Sequence, residues 1–197
     1  SISRLSRALT FPTPELEKEA DQCIVYLAQT ASMSLTFDGH APDATRLVCY
    51  SDSDWAVGHS TTGYACHLAG ASFAWASKRQ MCITTSSTEA EIVAASACAV
   101  ELTHFRKLLV EMGLAQSDAT PLFVDHSGAV ELSRDRRSCH KSRHVDRRYF
   151  KVRELHFEGE LDVEHIDTND NVADLLTKPL DRDKLERFRS LLLNITS

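Results

Sequence analysis

The sequence predicts an α/β domain: a mixed five-stranded sheet with helices on both faces. Three observations carry this expectation. Short β-branched and aromatic runs begin at Arg46, each bounded by Gly, Ser or Asp. One long helical pattern runs from about Ser87 to Met112 and is closed by Gly113. Beyond it, strand and helix patterns alternate, giving the order β-β-β-α-β-α-β-α, which packs helices on a partly parallel sheet.

The elements follow in chain order. Thr13-Pro14-Glu15 marks a helix start, with Thr13 as N-cap and proline at the first helical position. This helix is expected to reach about Thr30 and to bury Leu16, Ala20, Ile24 and Leu27 at helical spacing. The polar stretch FDGHAPDATR then separates it from everything downstream. Residues 1–38 therefore read as a helical appendage, the tail of a preceding domain. RLVCY, GYACHLA and SFAWAS form an antiparallel meander. After the long helix, PLFVD is an apolar run of the kind buried on both faces of a sheet. A short helix near Ser127–Ser133 and a longer one near Val145–Phe157 come next. ELDVEHI is a further strand, and NVADLLTK a short helix stopped by Pro179. The domain proper spans 45–180, and RDKLERFRSLLLNI makes residues 181–197 an amphipathic terminal helix.

Composition narrows the class. The 197 residues, 43% hydrophobic, fit one domain with an extension. No apolar run reaches the length of a membrane span, and the N-terminal stretch lacks a signal-peptide pattern. Six scattered cysteines without a CxxC pair fit reduced, mostly buried thiols. An intracellular, cytoplasmic setting is the expectation. The net charge of −6 is uneven: Arg134–Arg153 holds nine basic residues against only Asp135 and Asp146. A basic island in an acidic chain fits a phosphate backbone, with a solvated helix face as the alternative.

Four acids stand where apolar segments meet polar sequence: Asp52, Glu91, Asp125 and Asp174. Spacings of 39, 34 and 49 residues exclude a local calcium loop. Measured at about 100° per residue, Ala95, Cys98, Leu102, Phe105 and Leu109 share the face of Glu91, whereas Glu89 should face water. A carboxylate on a core-facing stripe needs a cation, a proton or a partner; otherwise it serves the helix dipole at the first turn. Asp52 and Asp54 lie on one strand face, and alternation does not choose between them. Asp125 ends PLFV at the carboxyl edge of a parallel strand, where α/β sheets place ligands; it is equally suited to cap the next helix. Asp174 lies on a helix too short to bury it deeply and, alone, reads as a surface residue.

The segments YSDSDWA, STTGY, FAWASKRQ, SSTEAEIVAAS, LFVDHSGAVELS, KSRHVDRRYFKVRE and NVADLLTKPL occur together between Arg46 and Leu180. In this order they resemble the ribonuclease H domain of copia-type (Pseudoviridae) retrotransposon polyproteins. LSRALTFPTPELEKEADQCIVYLAQT is similar to the end of the reverse transcriptase region that precedes it. The resemblance implies a ribonuclease H-like fold with an Asp-Glu-Asp-Asp site of Asp52, Glu91, Asp125 and Asp174. It implies two Mg²⁺ ions, or Mn²⁺, with Asp52 bridging them, Glu91 and Asp125 helping to hold one and Asp174 the other. Ser86, Ser87 and Thr88 match a polar stretch that touches the hybrid in related enzymes, and Lys141, Arg143, Arg147 and Arg148 are the candidates to grip phosphates.

His126 follows Asp125 where such elements commonly carry Asn. HIDTNDNVAD is short and lacks the mobile histidine of cellular enzymes. His140 and His144, four residues apart, do not complete a zinc site. The implied activity is hydrolysis of the RNA strand of RNA–DNA hybrids, beside an adjoining reverse transcriptase, in a virus-like particle if the element is active. The alternatives are a catalytically silent connection or hybrid-binding module, and a nuclease acting on duplex DNA.

Overall fold

A computed structural model of the chain describes residues 2–56, 58–135 and 143–195. The chain divides into two units, Ser1–Ser34 and Leu35–Ser197.

The first unit holds α1 (Ile2–Arg7) and α2 (Pro14–Gln29). Thr13 caps α2 as expected, its Oγ1 accepting the Leu16 N–H at 3.4 Å. The expected buried stripe is not buried: Ile24 and Leu27 are 64% and 60% exposed. Helical period shows which face is apolar, but says nothing of what covers it. Within this unit the six-residue α1 is too small to cover a sixteen-residue helix.

The second unit contains β1 (Val48–Asp54), β2 (Thr61–Leu68), β3 (Ala71–Arg79), α3 (Ser87–Glu111), β4 (Thr120–Val124), α4 (Ser127–Arg134), α5 (Arg143–Phe157), β5 (Leu161–His165), α6 (Asp174–Thr177) and α7 (Arg182–Leu193). The strands form one mixed sheet in the order β3-β2-β1-β4-β5. The first three pair antiparallel; β4 runs parallel to β1, and β5 parallel to β4. β1 is thus the central strand, where the hairpin half of the sheet meets the crossover half.

Helices cover both faces. Along β1 the Ser53 hydroxyl meets Glu91 of α3, while the neighbouring Asp52 carboxylate meets Thr177 of α6. Successive strand side chains point to opposite faces, so α3 and α6 lie on opposite sides of the sheet. α4 and α5 pack with α3. The main core fills that layer: Cys49, Leu122, Val124 and Val163 from the strands, and Leu47 just before β1, meet Ala95, Cys98 and Leu102 of α3, with Val152 and Leu155 of α5. Alanines at 90, 94, 95 and 99 are buried and give α3 a thin surface for close approach to its neighbours. Truncating the fully buried Leu102 to alanine would cost about 2–5 kcal/mol.

Two local features fix α3 in place. At its start the Ser86 Oγ accepts the Glu89 N–H at 3.2 Å. Glu89, expected to face water, is half-buried, and its Oε2 accepts solvent-exposed hydrogen bonds from the Thr85 N–H and hydroxyl at 2.7 and 2.8 Å. At its end Gly113 takes φ +77°, with the Leu114 N–H bonded to Leu109 O at 2.8 Å and its own N–H to Val110 O at 3.0 Å. That left-handed closure favours glycine.

Candidate metal centre

Three elements bring their acids to one place at the end of the central strand. Asp52 lies near the end of β1, 1% exposed, whereas Asp54 is exposed. Burial therefore makes the choice that strand alternation left open. Val124, the last residue of β4, pairs with Ser51 of β1, so Asp125 emerges beside Asp52. Glu91 enters from the first turns of α3, on the stripe that includes the buried Ala95, Cys98, Leu102 and Leu109. The carboxylate oxygens of Asp52, Glu91 and Asp125 lie within 4.8 Å of one another.

Each acid is held. Glu91 Oε1 accepts from the Ser53 N–H at 3.1 Å and its hydroxyl at 2.8 Å. Glu91 Oε2 is buried with no hydrogen-bond partner among the described residues. Asp125 Oδ2 accepts from the Thr168 hydroxyl at 2.9 Å. Asp52 Oδ2 accepts from the Thr177 hydroxyl. Below them Asn171, fully buried, donates to Ser51 O at 2.9 Å and accepts from the Ala173 N–H at 3.2 Å, fixing the turn into α6.

Asp174 is placed differently from the other three. The expectation that a short helix leaves it near the surface is wrong: it is 0% exposed. The cause lies on β2. Gly63 is Asp52's cross-strand partner, and a Cβ there would meet Thr177 Cγ2 at 2.6 Å and Ala173 O at 3.0 Å. The missing side chain lets α6 press against the sheet. Asp174 pairs with Lys178 Nζ at 2.7 Å through Oδ1 and with Lys184 Nζ at 2.7 Å through Oδ2. Lys178 Nζ also lies 3.7 Å from Asp52 Oδ2. Asp174 is therefore a neighbour of Asp52 but not one of the three converging acids.

The electrostatics follow from burial. Loss of water pushes Asp52 up to about 6, against the Thr177 hydrogen bond and the Lys178 charge. Burial, with the Asp52 charge, pushes Glu91 up to about 8. Lys178 sits above its ordinary value: burial opposes this, but the Asp174 hydrogen bond and the surrounding carboxylate charges outweigh it. Without a cation the cluster thus keeps a proton near neutral pH. The donor set is all oxygen, and the orphaned Glu91 Oε2 points to a missing partner; both fit a hard divalent cation.

The predicted nucleic-acid residues divide. Ser86 spends its hydroxyl on the α3 cap. The Ser87 and Thr88 hydroxyls stand 3.5 and 3.4 Å from His126 Nε2, beside Asp125. Arg148 donates to Cys82 Sγ at 2.7 Å, bracing α5 against the segment before α3. Lys141 lies outside the described residues, as do the side chains of Arg143 and Arg147, whose backbones belong to α5. His140 is also outside them. Sequence reasoning missed Ser53, Gly63, Thr168, Thr177, Lys178 and Lys184. Lys178 carried a readable signal, four residues after Asp174 on one helix face, and a glycine inside a strand signals close approach. Lys184 and Thr168 carried none.

No family model matches the chain. Over 195 residues it is 33% identical to the retrovirus-related Pol polyprotein from transposon TNT 1-94 of Nicotiana tabacum, covering 97% of this chain and 14% of the polyprotein. It is 31% identical over 194 residues to the corresponding polyprotein from transposon RE1 of Arabidopsis thaliana, covering 96% and 13%. The chain thus spans a small fraction of the length of the relatives it matches. Among solved structures, LC11-RNase H1, isolated from compost by a metagenomic approach, is similar with a TM-score of 0.53 at 17% identity, covering 73% of this chain and 97% of that one. The same enzyme in complex with an RNA/DNA hybrid gives a TM-score of 0.52 at 16% identity, covering 67% and 94%.

Proposed function

The chain is a homologue of a segment of the retrovirus-related Pol polyproteins of plant transposons and has the ribonuclease H fold, and from this we propose that it is a metal-dependent endonuclease hydrolysing the RNA strand of RNA–DNA hybrids. The observation that carries the proposal is the convergence of Asp52, Glu91 and Asp125 within 4.8 Å. Residues 45–180 form the nuclease domain in this reading, 1–38 the tail of the adjoining reverse transcriptase region and 181–197 its closing helix. The parent polyprotein would act during reverse transcription inside a virus-like particle.

The three acids offer hard oxygen ligands for divalent ions, with Asp174 completing the set; Mg²⁺ is the proposed ion and Mn²⁺ its substitute. Bound there, divalent ions supply an activated water and neutralise charge on the reacting phosphate. The chain's own residues do the positioning. Ser53 holds Glu91, Thr168 holds Asp125, and Thr177 holds Asp52. The fully buried Asn171 secures the turn from which Asp174 projects. Ser86, Ser87 and Thr88 lie at the α3 start, suited to sugar and phosphate contacts near the site. Selectivity for hybrid would come from groove shape and 2′-hydroxyl contacts rather than base reading. Lys141, Arg143, Arg147 and Arg148 are the proposed phosphate grip, with affinity that falls as salt rises.

One observation favours a second reading. Asp174 is already neutralised by two lysines, which suits a catalytically silent, hybrid-binding module. A labelled hybrid incubated with the chain and Mg²⁺ separates the two. Cleavage confined to the RNA strand supports the nuclease; binding without cleavage supports the silent module. Equal cleavage of duplex DNA would reject both in favour of a general nuclease.

A further inference from the structure

Asp52 and Asp174 are the two most deeply sealed acids of the centre, and they share a cation supplied by the protein. Lys178 Nζ stands 2.7 Å from Asp174 Oδ1 and 3.7 Å from Asp52 Oδ2. Two carboxylates in so dry a place call for a counter-charge close by. The second lysine is built differently. Lys184 Nζ pairs with Asp174 alone among the site acids, donates also to Thr168 O at 2.9 Å, and lies 5.2 Å from the centre of the Phe188 ring. Its side chain is 19% exposed, that of Lys178 33%. Lys184 is anchored from three sides, whereas Lys178 spans the acid pair on a flexible stem with a route to solvent.

We propose that Lys178 is an internal counter-ion that holds the Asp52–Asp174 pair in the metal-free protein and leaves it when a divalent ion binds between them. The inference rests on the metal-centre reading above and adds an order to it. The Asp52–Glu91–Asp125 cluster has an orphaned oxygen, Glu91 Oε2, ready for a first ion; Asp174 Oδ1 likewise makes no hydrogen bond of good geometry, but the Lys178 ammonium stands against it at 2.7 Å. A second ion, needing Asp174, must first displace an ammonium. An ammonium is a strongly hydrated point charge, so water can receive it once it is released. Lys184 stays, keeping Asp174 aimed at Asp52 throughout. Lys178 thereby makes the second ion the weaker one, and sets the ion concentration at which the centre becomes complete.

The test is a calorimetric Mn²⁺ titration of the full 197-residue chain and its Lys178→Met variant, with melting temperatures measured alongside. The unmodified chain should take up one ion tightly and a second more weakly. Lys178→Met should tighten the second step about tenfold or more, and the first, which shares Asp52, by distinctly less. Its metal-free form should melt lower than the parent, and Mn²⁺ should restore it. Equal tightening of both steps, the mark of a general loss of positive charge, overturns the proposal, as does an unchanged isotherm. A measurement on the unmodified chain guards against a variant that does not fold. The Lys178 ammonium resonance, protected by its ion pairs, should broaden as Mg²⁺ passes one equivalent while that of Lys184 persists; a Lys178 signal unmoved at saturation overturns the proposal. Failure of the unmodified chain to bind any Mn²⁺ is a separate result, and rejects the metal centre itself together with the inference.

Discussion

Glu91 accepts two hydrogen bonds from Ser53, one from the backbone N–H at 3.1 Å and one from the hydroxyl at 2.8 Å. This contact ties the start of α3 to the strand residue next to Asp52, so the spacing of two site acids is set by one serine. Ser53→Ala removes the hydroxyl and leaves the backbone donor. Divalent-ion affinity should fall about 10–100-fold, with a stability loss of about 1–2 kcal/mol. Calorimetric ion titration and chemical denaturation measure the two effects, and unchanged ion affinity would remove Ser53 from the positioning role.

Asp52→Asn and Asp125→Asn each delete a carboxylate from the converging cluster. Either should reduce hybrid cleavage to the level seen with a chelator, while circular dichroism and melting remain those of a folded chain. Cleavage retained by either variant in the presence of Mg²⁺ contradicts the assignment.

The Glu91 contribution to metal-free stability should fall as pH rises from about 6.5 to 8. Burial holds Glu91 up to about 8, and the unfolded chain holds it near about 4.3. Between these values the folded state binds the extra proton, so its stabilisation is lost as pH climbs through 8. Asp52, raised to about 6, acts in the same direction lower down. His67, lowered by burial to about 4, acts the opposite way below about 6.5, and Cys66, lowered to about 5 by hydrogen bonds with Cys49 and Cys98, opposes it up to about 8.5, so the Glu91 contribution is read as the difference between the parent and a Glu91→Gln variant. The slope from Glu91 is at most about 1.4 kcal/mol per pH unit. Glu91→Gln should flatten it, and saturating Mn²⁺ should stabilise the parent more at pH 8.5 than at pH 6.5. Denaturation curves in a chelator across this range give the answer.

Gly63→Ala places a methyl 2.6 Å from Thr177 Cγ2 and 3.0 Å from both Ala173 O and Leu176 Cβ. Backbone as well as side chain must give way, so α6 should lift from the sheet at a cost of about 1–3 kcal/mol. Asp174 would move with it. Cleavage should fall further than stability alone explains, measured at a temperature where the variant stays folded.

Neutralising Arg147 and Arg148 together should weaken hybrid binding and reduce the slope of log affinity against log salt by about one to two. Fluorescence anisotropy across a salt series checks this; an unchanged slope takes the two arginines out of the phosphate grip.

Local rules made much of this architecture legible. Strand alternation, the Thr13 cap and the Gly113 stop located the elements, and helical period put Glu91 on the buried stripe. What stayed hidden depends on distant partners. Nothing near Asp174 tells that Gly63, more than a hundred residues earlier, opens the space that buries it. Nor does the α7 sequence show that Lys184 reaches back to it. The α2 stripe failed for the same reason, since an apolar face can be read but its cover cannot. Asp52 and Asp54 were indistinguishable until the covering of β1 set them apart.

The centre draws on strands that are neighbours in space but far apart along the chain: β1 takes β4 as its parallel partner, with β2, β3 and α3 threaded between them. Asp125 reaches Asp52 only after that long excursion has closed, and the Thr177 link to Asp52 closes a loop of 125 residues. Such distant joining comes late in folding. In the proposed metal centre an ion would therefore finish this molecule rather than template it, and chelation should leave a folded, idle protein where a zinc finger would unravel.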